Sequence, residues 1–425
     1  MGRRPAAFFG LLLFFATLAA TGCASNSDQC DPATAGSDCD GNARRTCAYH
    51  SCEDAMFGDC KPHYVIQAQS CGALTCTTER PGATECLPPG TQLACTAEPA
   101  LLPAGKSAIA ADLDGDGHAD LVALDGDGGA QIFLARGAAL SAPVTVSVPA
   151  ASRVFAADFD GDGHLDLIFD ATPSIVVAHG AGDGTFAAAT PVLPRTRGLL
   201  LVADADGDHR ADLFLGSLEG LAVFVNRKDG AFTPRVVDIG KNDPGTLVAG
   251  DFDADGKLDV AMVDPFSFTT SEATVYLGAG DGTFRAAATV PTGPQPRAAI
   301  ADVDGDGHLD LVLTAYGDAH VSIALGAGDG TFRAPTRIAS GAAWTSGARP
   351  ADVNGDGKID LVLELEHHAF GVLVGDGRGG FTPSFYDPTR EDVTVLATLD
   401  TDGDGRSDAV IAGASGLRVV RSACQ

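Results

Sequence analysis

Residues 91–425 repeat one pattern of apolar and polar positions. In one copy the apolar run Val154-Phe155-Ala156-Ala157 leads into an acidic stretch, and Leu167-Ile168-Phe169 follows it. Ile175-Val176-Val177-Ala178 comes next, then a glycine-rich turn, Gly180 to Phe186, and a fourth run from Ala189 to Leu193. Runs of four to six residues bounded by glycine and aspartate read as short strands. No amphipathic stretch of helical period and useful length interrupts them, so a helical solenoid is excluded. The acidic stretches start at Asp112, Asp158, Asp204, Asp251, Asp302, Asp352 and Asp400, about 48 residues apart. Four short strands in a unit of that length are the pattern of a propeller blade, whereas a β-solenoid needs shorter repeats. The expected fold is all-β, a seven-bladed β-propeller.

Each acidic stretch is a nine-residue loop with oxygen-bearing side chains at positions 1, 3, 5 and 9. The first loop has Asp112, Asp114, Asp116 and Asp120, with His118 at position 7. The second has Asp158, Asp160, Asp162 and Asp166 with His164; the third has Asp204, Asp206, Asp208 and Asp212 with Arg210. Then come Asp251, Asp253, Asp255 and Asp259 with Lys257, and Asp302, Asp304, Asp306 and Asp310 with His308. The sixth is Asp352, Asn354, Asp356 and Asp360 with Lys358, and the seventh Asp400, Asp402, Asp404 and Asp408 with Arg406. Calcium takes six to eight oxygen ligands in flexible geometry, mostly carboxylates, with a backbone carbonyl at position 7. Soft ligands are absent from the loops, which argues against zinc or copper. Glycine at position 6 permits the positive φ of a tight wrap. His209 replaces that glycine in the third loop and Asn354 removes a charge from the sixth, so these two sites are expected to be the weaker ones. Asp-Gly clusters also occur as plain turns; seven in register, each closing on a ninth-position aspartate, point to up to seven bound Ca2+.

The formal net charge is -28, from 56 acidic and 28 basic residues. Half of the acids sit in the loops, where without metal they repel one another, so folding is expected to be calcium-linked. So acidic a chain excludes nucleic acid as an expected partner.

The Asp-x-Asp-x-Asp loops and the Gly-x-Gly-Asp-Gly-Thr-Phe turns (Gly180 to Phe186, Gly278 to Phe284, Gly326 to Phe332) resemble the FG-GAP/VCBS repeats of integrin α subunits and of many bacterial surface proteins. The resemblance covers residues 91–425. It implies that each loop joins the first and second strands of a blade and binds calcium, here in every blade. The last repeat has room for three strands, with Gly416 to Val420 as the third. Residues 92–102 have no blade of their own, so they are expected to supply the fourth strand and close the ring. A Cys95–Cys424 disulfide would then lock it.

The N-terminus reads as a signal peptide over residues 1–22: Arg3 and Arg4, then an apolar run from Ala6 to Ala20 too short to span a bilayer comfortably. Ala20-Thr21-Gly22-Cys23 resembles a bacterial lipobox, although Leu18 lies two residues before the usual leucine position. That resemblance implies lipidation of Cys23 and, with Ala24 following, a place on the bacterial outer membrane or cell surface. Residues 23–29 are a polar tether. Residues 30–90 form a cysteine-rich module that at this size needs disulfides and serves as a spacer or stalk. If Cys23 carries lipid, ten of the eleven cysteines remain, an even number suited to an oxidising compartment.

No catalytic constellation stands out: the paired carboxylates are explained by metal ligation, and no G-x-S-x-G elbow occurs. The loop-built face away from the acidic loops carries Tyr316, Trp344, His367 and His368, a possible ligand face. The function expected is a monomeric, non-catalytic, calcium-binding propeller for adhesion or for binding an extracellular protein or glycan. A secreted hydrolase or polysaccharide lyase on the same scaffold, or a lectin, stays open as the alternative.

Overall fold

The computed structural model describes residues 107–423 apart from short connecting segments, together with strands at Gln29–Cys30, Ser37–Asp40, Ala43–His50, His63–Ser70, Thr75–Cys76, Cys86–Leu87 and Ala94–Ala97. The chain divides into two units, residues 1–90 and 91–425. In the first, Gln29–Cys30, His63–Ser70, Ala43–His50 and Ser37–Asp40 form a four-stranded antiparallel sheet in that order. The targeting segment, Cys23, and most of the cysteine-rich module lie outside the described residues.

The second unit is a seven-bladed β-propeller. Each blade is a four-stranded antiparallel meander. Blade 5, for example, is built from Pro296–Ala301, Asp310–Ala315, His320–Ala324 and Thr336–Ala339. The first strands of neighbouring blades lie against one another around the ring, and blade 7's Thr394–Leu399 lies against blade 1's Ser107–Ala111. Blade 7 takes its outer strand from the other end of the unit: Ala94–Ala97 pairs antiparallel with Gly416–Ala423, with Cys95 opposite Ser422. This is the closure the repeat arithmetic required.

The second strand of each blade is sandwiched on both faces, so it is almost wholly buried and reads as a largely apolar run, with Glu364 of blade 6 and the end of blade 7's strand half-buried. Asp120–Leu124, Asp166–Ala171 and Asp310–Ala315 are buried at every position. The core is accordingly divided into seven clusters, one at each blade-to-blade interface. One joins Val122 and Ile132 of blade 1 to Leu167 and Phe169 of blade 2; another joins Leu396 and Val410 of blade 7 to Leu121 and Phe133 of blade 1. The fully buried Phe169 and Phe214 anchor two of these interfaces. Truncating either to alanine would cost about 3–5 kcal/mol.

Candidate metal loops and an aromatic face

Every acidic loop joins the first strand of its blade to the second, as the resemblance implied. The loops wrap on themselves through backbone amides. In the first, Gly115 and Gly117 donate to the two oxygens of Asp112 at 2.8 and 2.9 Å, and His118 N donates to Asp116 at 2.9 Å. This curls the chain so that the remaining carboxylate oxygens face inward. Ligand oxygens of Asp112, Asp114 and Asp120 lie within 4.8 Å of one another, as do those of Asp158, Asp160 and Asp162, of Asp204, Asp206 and Asp212, and of Asp251, Asp253 and Asp255. Such groups can hold a metal ion, and their all-oxygen donor sets fit a hard one.

The wrap needs two left-handed residues, not one. Position 6 has φ of 87° at Gly117, 88° at Gly163 and 89° at Gly307, and His209 adopts 66° in the third loop. Position 4 is also left-handed, at 73° in Gly115 and 81° in Gly161, and Ala254 takes 57° there in the fourth loop. The sequence reading found the first requirement and missed the second.

The ninth-position aspartate has a second task. All seven are buried, at most 2% exposed. One oxygen of Asp310 accepts from Val303 N at position 2 and the other from Gly326 N at the end of the third strand, both at 2.8 Å. The same double staple holds Asp120 to Leu113 and Ala135, and Asp212 to Ala205 and Asn226. Burial pushes the carboxyl of Asp212 up to about 7 and that of Asp360 to about 6, against the downward pull of these backbone bonds. Asp120, Asp259, Asp310 and Asp408 are raised for the same first cause. The glycine that opens the Gly-x-Gly-Asp-Gly turn is a steric consequence of this arrangement. A Cβ on Gly180 would lie 2.2 Å from the carbonyl oxygen of Leu165, at position 8 of the loop.

Neighbouring side chains modify individual loops. Arg136 pairs with Asp114 and Asp116, Arg227 with Asp206 at 3.4 Å, and Arg421 with Asp402 at 3.6 Å. His179, from outside the second loop, places Nδ1 3.2 Å from Asp160 and 3.3 Å from Asp166. The sequence reading counted no soft ligand within the loops. His179 escaped it because the third strand, not the loop, delivers the ring. At position 7, the side chains of His164 and His308 lie over Gly182 and Gly328 of the glycine-rich turns.

On the opposite face, the loop between the second and third strands of blade 5 meets the connection to blade 6. Tyr316, 56% exposed, packs against Trp344 with ring centroids 5.0 Å apart and the planes tilted by 52°. Thr345 N donates to the Asp318 carbonyl and Ser340 N to that of Ala319, each at 2.8 Å, which fastens the two segments together. Beside the rings, Arg337 Nη2 reaches both carboxylate oxygens of Asp318 at 2.7 Å, and His320 Nδ1 lies 2.9 Å away. Burial draws the Asp318 carboxyl upward, but bonds from His320 and Arg337 outweigh it and hold it below its ordinary value. The structure thus brings Tyr316 and Trp344 together. His367, His368 and Cys424 lie outside the described residues.

The fold and the loops define a repeat propeller whose every blade presents an acidic loop on one face of the ring. FG-GAP-like repeats match residues 112–169, 204–262, 251–313 and 302–363, together just over half of the chain, and the chain belongs to that family. No curated protein matches it significantly. Among solved structures it is similar to a lectin of Agrocybe aegerita that recognises non-reducing terminal N-acetylglucosamine, with 23% identity over 66% of this chain and 80% of that one (TM-score 0.51). It is also similar to a lectin of Burkholderia pseudomallei, with 18% identity over 76% and 98% of the two chains (TM-score 0.52). A third is BBS1N in its complex with ARL6DN, with 12% identity over 78% and 96% (TM-score 0.53). At these identities the likeness is one of fold.

Proposed function

We propose that the protein is a non-catalytic, calcium-binding propeller that displays a ligand-binding face outside the cell, carried by a lipid on Cys23. The observation that carries the binding role is the exposed Tyr316 packed at a tilt against Trp344, with Asp318, His320 and Arg337 in the adjoining strands and loop. An aromatic face next to hydrogen-bonding groups of both signs suits a glycan: apolar sugar faces stack on the rings, and hydroxyls pair with the polar rim. The two lectins of similar fold support this reading, and a protein ligand is the second possibility. Calcium acts here as a brace. The inward oxygens at positions 1, 3, 5 and 9 would hold it, and in doing so neutralise carboxylates that otherwise repel.

The test is a glycan array and a panel of extracellular proteins, probed with the calcium-loaded protein and with its Tyr316→Ala variant. A hit lost in the variant and in EDTA supports the reading. Hits that ignore Tyr316, or none from folded protein, would overturn this face as the binding site.

A further inference from the structure

The ring lumen brings two arginines and a glutamate to one cavity. In a chain of net charge -28 many cations sit on carboxylates, as Arg337 does on Asp318, Arg195 on Asp170 and Lys257 on Asp255, although the exposed side chains of Arg285 and Arg333 have no partner among the described residues. The first strands of blades 4 to 7 border a cavity of about 290 Å3, lined among others by Thr246, Arg297, Gly347, Arg349, Glu364 and Thr398. Arg297 is exposed to it and makes no hydrogen bond or ion pair with another described residue. Arg349 uses only Nε, which donates to the Val395 carbonyl at 2.8 Å and so fixes its stem across the interface with blade 7. Its terminal nitrogens have no partner among the described residues.

Glu364 belongs to the second strand of blade 6, one strand away from the lumen, yet it lines the cavity. It does so because the residue opposite it is Gly347. A Cβ at that position would sit 3.0 Å from the Glu364 carboxylate. The first-strand residues at the same distance before the acidic loop are Arg153, Thr246, Arg297 and Val395 in other blades. Glycine in blade 6 opens the window through which the carboxylate reaches inward. Glu364 is no closed partner for the arginines: its carboxylate makes no ion pair with a described residue. The three groups nonetheless feel one another. Crowding by the lumen walls lowers the Arg349 pKa first, although its side chain keeps open surface there; Glu364 opposes that, and Arg297 adds to it.

Two guanidiniums facing one lumen repel, and an anion between them relieves that repulsion. The guanidinium fork matches the planar oxygens of a carboxylate or phosphate, with up to five donors per arginine. An ionised Glu364 only accepts, so it selects a ligand that also carries a donor. At about 30 Å3 per water, the cavity takes roughly ten waters' worth of ligand, which limits the ligand to a small molecule.

We propose that the lumen between blades 4 and 7 is a binding site for a small oxyanion. In it Arg297 and Arg349 hold a carboxylate or phosphate, and Glu364 accepts from a hydroxyl or amino group of the same molecule.

The experiment is calorimetric titration of the calcium-loaded full chain at low ionic strength with D-glucuronate, with inorganic phosphate, and with glucose as the uncharged control. At least one anion binds and glucose does not; which anion binds distinguishes a carboxylate source from a phosphate one. Arg297→Gln, a change at an exposed side chain without partners, weakens binding tenfold or more. Glu364→Gln weakens glucuronate more than phosphate. Tyr316→Ala leaves both unchanged, which separates this site from the aromatic face. Failure of both anions to bind the wild-type chain, or equal binding by Arg297→Gln, would overturn the proposal.

Discussion

The backbone amide of Ala211 donates to the carbonyl of Asp158 at 2.8 Å, fastening position 8 of the third acidic loop to position 1 of the second. Ser407 N and Asp352 O repeat the bond between the seventh loop and the sixth at 2.7 Å. The glycine-rich turns add a parallel link. Gly330 N donates to the carbonyl of Phe252 at 2.9 Å, and the turn's Phe332 packs edge-on against the Phe252 ring with centroids 5.7 Å apart. The third and seventh loops are therefore built partly from the loop before them, and the turns of blades 4, 5 and 6 rest on the loops of blades 3, 4 and 5. Ordering one member of a linked pair should lower the cost of ordering the other, so calcium binding should be cooperative between linked neighbours. An Asp158→Ala change should remove the second site and also weaken the third severalfold. Site-resolved NMR titration checks this, and an unaltered third site would show the links to be energetically silent.

The buried ninth-position carboxyls give the metal-free chain a pH dependence whose sign follows from their direction. Asp212, at about 7, and Asp360, at about 6, are raised above the ordinary value of 3.8. A raised folded-state value means that the contribution to stability is fully present below about 3.8 and is lost as pH rises through about 6 to 7. Calcium needs the ionised form, so its affinity should rise over the same window. Melting in EDTA should therefore occur at lower temperature at pH 8 than at pH 5, while the increase in Tm caused by calcium should be larger at pH 8. Scanning calorimetry at the two pH values, with and without calcium, is the check.

His209 holds φ at 66° where six of the loops place glycine at position 6. Its amide still donates to Asp204 at 2.8 Å, so the wrap survives at the cost of left-handed strain. His209→Gly should stabilise the calcium-loaded protein by about 1 kcal/mol and tighten the third site. Asn354→Asp should tighten the sixth by restoring its missing charge. Calcium titration of each variant against wild type measures both effects; a lower Tm for His209→Gly would mean that the side chain makes compensating contacts.

The ring, its seven units and the position of the acidic loops were legible because the blades obey a local rule: a strand, a loop that must wrap, a strand. The acids of one loop lie within nine residues, and a periodic pattern exposes them. What escaped the sequence are contacts between residues that no single loop brings together. Tyr316 lies in a loop of blade 5 and Trp344 in the connection to blade 6, and the sequence named both rings but not their contact. Arg297, Arg349 and Glu364 stand on three strands of two blades, in stretches whose apolar pattern serves the interfaces on either side. His179 reaches the second loop from the third strand, where Leu134, Leu277 and Leu325 stand in other blades. The need for a left-handed position 4 was hidden by glycine's ordinary abundance in turns, and Ala254 is the residue that reveals it.

The second loop should differ from the others in metal preference. The imidazole of His179 is within 3.3 Å of two of its carboxylates, and a ring nitrogen favours zinc or nickel over calcium more than any all-oxygen set does. Nickel(II) should displace calcium from this site first, visible as paramagnetic broadening confined to blade 2. His179→Leu should abolish the preference and leave calcium bound. Broadening spread evenly over the seven loops would count against the assignment.

Closure of the ring rests on four residue pairs. Ala94–Ala97 meets the last strand only through Val420 with Ala97, Arg421 with Thr96, Ser422 with Cys95 and Ala423 with Ala94. So short a clasp has little of its own to hold it, and all six other blades are continuous in sequence. Cys424 follows Ser422, the residue opposite Cys95, by two positions in the sequence and lies outside the described residues. A Cys95–Cys424 bond would enclose about 330 residues, for which the chain-entropy model gives roughly 5 kcal/mol of stabilisation. Peptide mapping without reduction should recover this pair, and Cys95→Ser should lower Tm and expose the terminal strand to proteolysis while calcium stays bound. Mapping that joins Cys424 to a cysteine of the 30–90 module would assign the clasp to a different bond.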